Sequence, residues 1–147
     1  MCVYNSPIIF INNLPGYHVQ HVNSIIMKHI LAISTDAELL ALLHRQLSDL
    51  GFHMTSANTR EDLLAQVKIQ RPDVLVLDFI LGDSNAASVC HQVTSASDTC
   101  NIPVIILSDM PGIEQIGAKT GSFAVIKKPM QTVFLVENII AALVQHA

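Results

Sequence analysis

The stretch R-P-D-V-L-V-L-D, residues Arg71–Asp78, decides the fold of this chain. Its apolar residues, Val74–Leu77, form a continuous run, which is typical of a strand covered on both faces in a parallel sheet. Pro72 disfavours helix in the residue before it, so we expect a preceding helix to end there. The run closes on Asp78, and a carboxylate at that point costs free energy unless it faces an open site or a partner. The stretch therefore predicts a buried parallel strand with an acid at its carboxyl end.

Short apolar segments alternate with amphipathic segments on both sides of this stretch. Strands are predicted at His29–Ile33, Phe52–Ala57, Val74–Leu77, Pro103–Leu107 and Phe123–Ile126. Helices are predicted at Leu39–Leu50, Thr59–Gln70, Asn85–Val93, Ile113–Lys119 and Gln131–Gln145. This β-α order, repeated five times, predicts a doubly wound α/β fold with helices on both faces of a parallel sheet.

The front of the first helix reads S-T-D-A-E, residues Ser34–Glu38. Thr35 and Glu38 are spaced as a capping box, so we interpret Ser34 and Thr35 as helix-capping residues. Asp36 and Glu38 favour the positive end of the helix dipole. The same acids would repel a flavin phosphate, which disfavours a flavin-binding protein of this architecture.

The composition is that of one globular domain: 147 residues, 50% hydrophobic, 14% charged, with a formal net charge of −4. No cluster of Lys and Arg forms a phosphate-binding stripe, so we predict no nucleic-acid contact. No apolar run is long enough to span a bilayer, and Pro7–Ile11 lacks the flanks of a signal peptide. The chain has three cysteines, Cys2, Cys90 and Cys100. Because this number is odd and no C-x-x-C motif occurs, a disulfide framework or zinc knuckle is not expected. These features predict a cytoplasmic protein without membrane contact.

The head of the chain differs from the rest, because no Asp, Glu, Lys or Arg precedes Lys28. We divide the chain into an N-terminal extension, residues 1–28, whose order the sequence does not determine, and one domain, residues 29–147. Three interpretations of the extension stay open. The first is a disordered or loosely packed segment, and the second is a docking strand formed by Pro7–Ile11. The third is that Met27 is the true first residue of the protein.

Three polar residues follow predicted strands: Asp78, Ser108 and Lys128. In a doubly wound sheet the carboxyl ends of the strands form the binding edge, so we expect these side chains to converge. A carboxylate there can attack a phosphoryl group and form an acyl phosphate. The ammonium can neutralise phosphate oxygens, and the hydroxyl can bind the new phosphoryl group and draw its own loop inward. The sequence contains no G-x-S-x-G motif, so a hydrolase is not supported.

Three segments together resemble the receiver domain of response regulators. They are R-P-D-V-L-V-L-D at Arg71–Asp78, I-P-V-I-I-L-S at Ile102–Ser108 and I-K-K-P at Ile126–Pro129. The resemblance implies a flavodoxin-like (βα)5 sandwich with strand order 2-1-3-4-5. It also implies that Asp78 is the phosphoacceptor, Ser108 the switch hydroxyl and Lys128 the lysine that neutralises the phosphate. The implied partners are a histidine kinase or phosphotransfer protein, a downstream protein, and a second copy of the chain in a homodimer through the face of the last helix.

The resemblance breaks at the metal-binding position. Members of the family usually carry two adjacent acids after the first strand, which hold Mg²⁺, and this chain has Ser34 and Thr35 there. Mg²⁺ needs oxygen ligands that usually include one or two carboxylates. The predicted metal ligands are therefore Asp78 and Asp36, which is a substitute one residue after the position of the usual acidic pair. We expect Mg²⁺ binding to be weakened.

Two functions stay open at this point. One is a receiver that accepts a phosphoryl group on Asp78, with no enzymatic activity beyond self-phosphorylation from a phosphohistidine donor. The other is a pseudo-receiver, an interaction module that works without phosphorylation. Asp109 and Val125 favour the second function, because the family usually has a small residue at the first position and an aromatic one at the second. The chain ends with its last helix, so we expect the signal to leave through another protein.

Overall fold

The computed structural model describes residues 27–57, 63–78, 85–129 and 131–145. Its strands are β1 (His29–Ile33), β2 (His53–Ala57), β3 (Val74–Asp78), β4 (Val104–Ser108) and β5 (Ala124–Lys127). Its helices are α1 (Ala37–Asp49), α2 (Leu63–Gln70), α3 (Asn85–Ser95), α4 (Ile113–Thr120) and α5 (Thr132–Gln145). The predicted alternation is confirmed over these ranges. The predicted start of α2 at Thr59 and most of the extension, residues 1–26, lie outside them.

The strands form one parallel sheet in the order β2-β1-β3-β4-β5, which confirms the predicted topology. β1 lies between β2 and β3, with His29 beside His53 and Ile33 beside Leu77. All pairings run parallel, so the carboxyl ends of the five strands lie along one edge.

Two apolar layers flank the sheet, because successive side chains of a strand point to opposite faces. Ile30 and Ala32 pack with α1 and α5, whereas Leu31 and Ile33 pack with the other helices. The first layer takes Leu43, Leu47, Leu135 and Ile139 from its helices. The second layer takes Val67, Cys90, Val93 and Ile113. Cys90 is fully buried in this second layer, where it packs as a small apolar residue.

The capping of α1 differs from the prediction. Asp36 is the N-cap, and its Oδ1 accepts hydrogen bonds from the amides of Glu38 and Leu39, both at 3.1 Å. Thr35 is exposed, so its assignment as the capping residue is wrong. The helix ends at Asp49, and Gly51 follows with φ 91°, a conformation that favours glycine.

Smaller differences concern the strand ends and one cysteine. β3 and β4 each extend by one residue, so that Asp78 and Ser108 belong to the sheet. Cys100 is disulfide-bonded, which the odd cysteine count did not predict. No helix within the described ranges is long and apolar enough to cross a membrane.

Candidate functional site

The carboxyl edge of the sheet brings the predicted residues into neighbouring positions. Asp78 of β3 lies beside Leu107 of β4, and Ser108 of β4 lies beside Lys127 of β5. The amide of Lys128 donates to the carbonyl of Ser108 at 2.9 Å, which holds the start of the loop after β5 against the end of β4. The parallel register therefore places Asp78, Ser108 and Lys128 at three successive strand ends, as the sequence predicted.

Asp78 and Lys128 form a buried ion pair. The Lys128 Nζ atom lies 2.5 Å from Asp78 Oδ1. The Asp78 side chain is 1% exposed and that of Lys128 is 16% exposed. Charges withdrawn from water to this extent need a partner of opposite sign, because their desolvation costs several kcal/mol per ion. The strand end can hold a carboxylate because this ammonium reaches it.

The two adjacent lysines of β5 and its loop have different partners. Lys127 is exposed and pairs with Glu114 of α4 at 3.1 Å. The pKa of Glu114 is lowered, first by a hydrogen bond to its own backbone and then by Lys127. Of this pair of lysines, Lys128 is the one that serves the candidate site.

Ser34 also belongs to the site, although the sequence indicated only a capping role. It follows β1, and its hydroxyl donates to Asp78 Oδ2 at 2.5 Å. Ser34 is 2% exposed, and its Oγ accepts the amide of Asp36 at 2.9 Å. One signal could have found this contact. With β1 beside β3 in the implied strand order, the residue after Ile33 lies next to Asp78.

Ser108 lies at the end of β4 and is 1% exposed. Its hydroxyl accepts a hydrogen bond from the amide of Met110 at 3.0 Å. This bond ties the side chain to the loop that leads into α4, so a change of partner by the hydroxyl would release that loop. Asp109, the next residue, is exposed at the same edge.

The predicted metal ligands do not form a magnesium site within the described residues. No group of three or more His, Cys, Asp or Glu residues in those ranges could hold a metal ion. Oδ1 of Asp36 caps α1, and the groups that bond Asp78 include an ammonium and a hydroxyl. This donor set does not suit Mg²⁺, which prefers a near-octahedral oxygen shell with one or two carboxylates.

The arrangement offers a nucleophile and a charge to neutralise what it attacks. A carboxylate held by an ammonium is acceptor-only and can form an acyl phosphate, and the ammonium remains in place for the phosphoryl oxygens. The buried Ser108 hydroxyl at the next strand end completes the constellation.

The chain is similar to several known proteins. Residues 30–140 match the model of the response regulator receiver domain. A probable transcriptional regulator, ycf29 of Cyanophora paradoxa, is 30% identical over 123 residues, which are 82% of this chain and 58% of that protein. The response regulator MprA of Mycobacterium leprae is 30% identical over 114 residues, 76% of this chain and 47% of that protein. The chain therefore spans about half the length of these relatives.

Solved structures with the same fold include the chemotaxis response regulator CheY4 of Vibrio cholerae. It superposes with a TM-score of 0.71 at 21% identity, over 80% of this chain and 99% of that one. A CheY-like receiver domain protein of Methanospirillum hungatei superposes with a TM-score of 0.73 at 20% identity, over 82% and 96% of the two chains. The comparisons give no support to the alternative of a pseudo-receiver. The chain belongs to the response regulator receiver domain family, the signalling modules of two-component systems.

Proposed function

We propose that this domain accepts a phosphoryl group on Asp78 from a phosphohistidine and passes the signal on through changed protein contacts. The donor would be a histidine kinase or a phosphotransfer protein, the partners with which receiver domains interact. The observation that carries the proposal is the buried contact between Asp78 Oδ1 and Lys128 Nζ at 2.5 Å. Receiver domains are signalling modules rather than conventional enzymes, and the transfer is the only reaction we propose.

In the proposed reaction a carboxylate oxygen of Asp78 attacks the phosphorus of a phosphohistidine whose other ring nitrogen is protonated. The new P–O bond forms as the P–N bond breaks, and the leaving nitrogen keeps the electron pair, so that the ring leaves as neutral imidazole. Lys128 neutralises charge on the phosphoryl oxygens. Receiver domains generally bind Mg²⁺ at this site. Because the described residues fit Mg²⁺ poorly, we assign no step to it here.

The signal would leave the site through Ser108. A phosphoryl group on Asp78 offers acceptor oxygens to the Ser108 hydroxyl, which in the structure accepts from the amide of Met110. A rotation of the hydroxyl towards the phosphoryl group would give up that bond and shift the loop before α4. The result is a shifted equilibrium between two conformations, which a downstream partner reads.

The remaining expectations about partners and location are proposals. Val133 and Phe134 are 57% and 51% exposed on the first turn of α5, which is the surface we propose for a homodimer. Response regulators are typically cytoplasmic, and we propose the same location for this chain. The absence of nucleic-acid contact stays a prediction.

Phosphoramidate, a small donor with a P–N bond, tests the proposal without knowledge of the natural kinase. We expect wild-type protein to gain the mass of one phosphoryl group, on the peptide that contains Asp78, and Asp78→Asn to gain none. Asp73→Asn is the matched control, because Asp73 lies just before the same strand, at its other end, and also faces a lysine, Lys28, at 3.8 Å. Labelling of Asp78→Asn to the wild-type level would refute the assignment of Asp78.

A further inference from the structure

The Ser34 hydroxyl is bonded on both sides in the interior of the domain. A hydroxyl has one proton to donate, and that of Ser34 goes to Asp78 Oδ2 at 2.5 Å. Its oxygen accepts from the amide of Asp36 at 2.9 Å. Since Asp36 also caps α1, the hydroxyl is anchored to the start of that helix. Its orientation towards Asp78 is thus built into the fold.

The Asp78 carboxylate is consequently held from two sides. Ser34, after β1, binds Oδ2, and Lys128, after β5, binds Oδ1 at 2.5 Å. Each donor comes from a different strand end, so the two bonds together restrict rotation of the carboxylate plane. Two protein groups thus orient the acceptor carboxylate.

The charges at the site also favour orientation of Asp78 by Ser34. A second carboxylate in the place of Ser34 would face Asp78 across a buried contact, where like charges repel and a divalent cation between them restores the balance. A neutral hydroxyl at this place removes the repulsion and donates a hydrogen bond instead. In the next acid along the chain, Asp36, the Oδ1 atom already accepts hydrogen bonds from two amides of α1.

We propose that Ser34 is the positioning residue of Asp78 and stands in the structural place of a metal-ligating carboxylate. The domain then orients its acceptor without Mg²⁺ and binds Mg²⁺ weakly. The part of this inference that concerns phosphoryl transfer rests on the proposed function. The part that concerns cation binding does not.

A magnesium titration followed by backbone amide chemical shifts tests cation binding. We expect non-saturating shifts for wild type at millimolar Mg²⁺, and saturable shifts at Asp78 and Lys128 in Ser34→Asp, with affinity at least about tenfold higher. Ser48→Asp adds the same charge at an exposed position near the far end of α1 and should behave as wild type. Equal affinities in wild type and Ser34→Asp would overturn the assignment.

Phosphorylation by phosphoramidate, at one fixed Mg²⁺ concentration, tests positioning. Ser34→Cys keeps almost the same volume but replaces the hydroxyl by a weak donor, and we expect it to react about tenfold more slowly or worse. Ser34→Thr restores a hydroxyl and should recover most of the rate, while urea unfolding of both variants checks that they are folded. A wild-type rate in Ser34→Cys would overturn the positioning role. If wild type itself is never phosphorylated, the proposed function fails, and the magnesium titration still decides the role of Ser34.

Discussion

Loss of the Lys128 ammonium should destabilise the domain strongly, because it removes the positive charge that pairs with the buried Asp78 carboxylate. Removing one member of a buried ion pair costs about 3–5 kcal/mol. The Lys128 side chain is 16% exposed, so water solvates part of the pair. We therefore expect Lys128→Met to lower the free energy of unfolding by about 3 kcal/mol, the lower end of that range.

The double variant separates the burial of an unpaired charge from the loss of packing. Asp78→Asn combined with Lys128→Met contains neither charge, so it avoids the desolvated carboxylate that the single variant retains. We expect the double variant to be more stable than Lys128→Met. A complete cycle with Asp78→Asn should give a coupling free energy of at least about 1 kcal/mol.

Lys127→Met is the matched control. Lys127 is the adjacent residue and also pairs with an acid, at 3.1 Å, but both side chains of that pair are more than half exposed, at 62% and 53%. An exposed pair contributes between about 0 and 1 kcal/mol, so the control should change stability by less than that upper value.

Urea unfolding followed by circular dichroism at neutral pH supplies all of these free energies. A domain of this size typically has about 5–15 kcal/mol of stability, which leaves Lys128→Met folded enough to measure. Equal losses in Lys128→Met and Lys127→Met would refute the reasoning, since burial would then make no difference. A double variant less stable than Lys128→Met would also refute it, since removal of the unpaired carboxylate should restore stability.

Two further predictions concern a helix cap and a partly buried histidine. Asp36→Ala removes the acceptor for the amides of Glu38 and Leu39 and should cost about 1 kcal/mol in urea unfolding, whereas Thr35→Ala should change little, and the reverse order would contradict the assigned N-cap. Burial and the neighbouring His53 lower the pKa of His29 below its usual 6.5, so the unfolded chain binds this proton more tightly than the folded domain. The stability contributed by the neutral ring is present above pH 6.5 and lost as the pH falls below it. His29→Gln should therefore lose less stability than wild type between about pH 7 and about pH 5, and identical losses would refute this.

Much of the site followed from the sequence because parallel topology is predictable from local pattern. The run Val74–Leu77 required a strand covered on both faces, and the β-α alternation required that all strands end at one edge. Asp78, Ser108 and Lys128 then had to come together, although Asp78 and Lys128 are 50 residues apart.

Choices between adjacent residues were not determined by pattern. Thr35 and Asp36 are both good N-caps, and their free energies as caps differ by less than tertiary contacts contribute. Asp36 takes the role because the amide of Asp36 is fixed by Ser34, which is in turn fixed by Asp78. Local sequence carries no information about that chain of contacts.

The sequence by itself determined the fold class, the strand-edge location of the site and the chemical types of its groups. Only the tertiary structure decided that Ser34 holds Asp78. The two residues are 44 positions apart, and their hydrogen bond exists because β1 pairs with β3 in a register that aligns their ends. A periodic pattern reports which face of an element is buried, whereas a hydrogen bond between two polar side chains depends on distances that only the packed sheet sets.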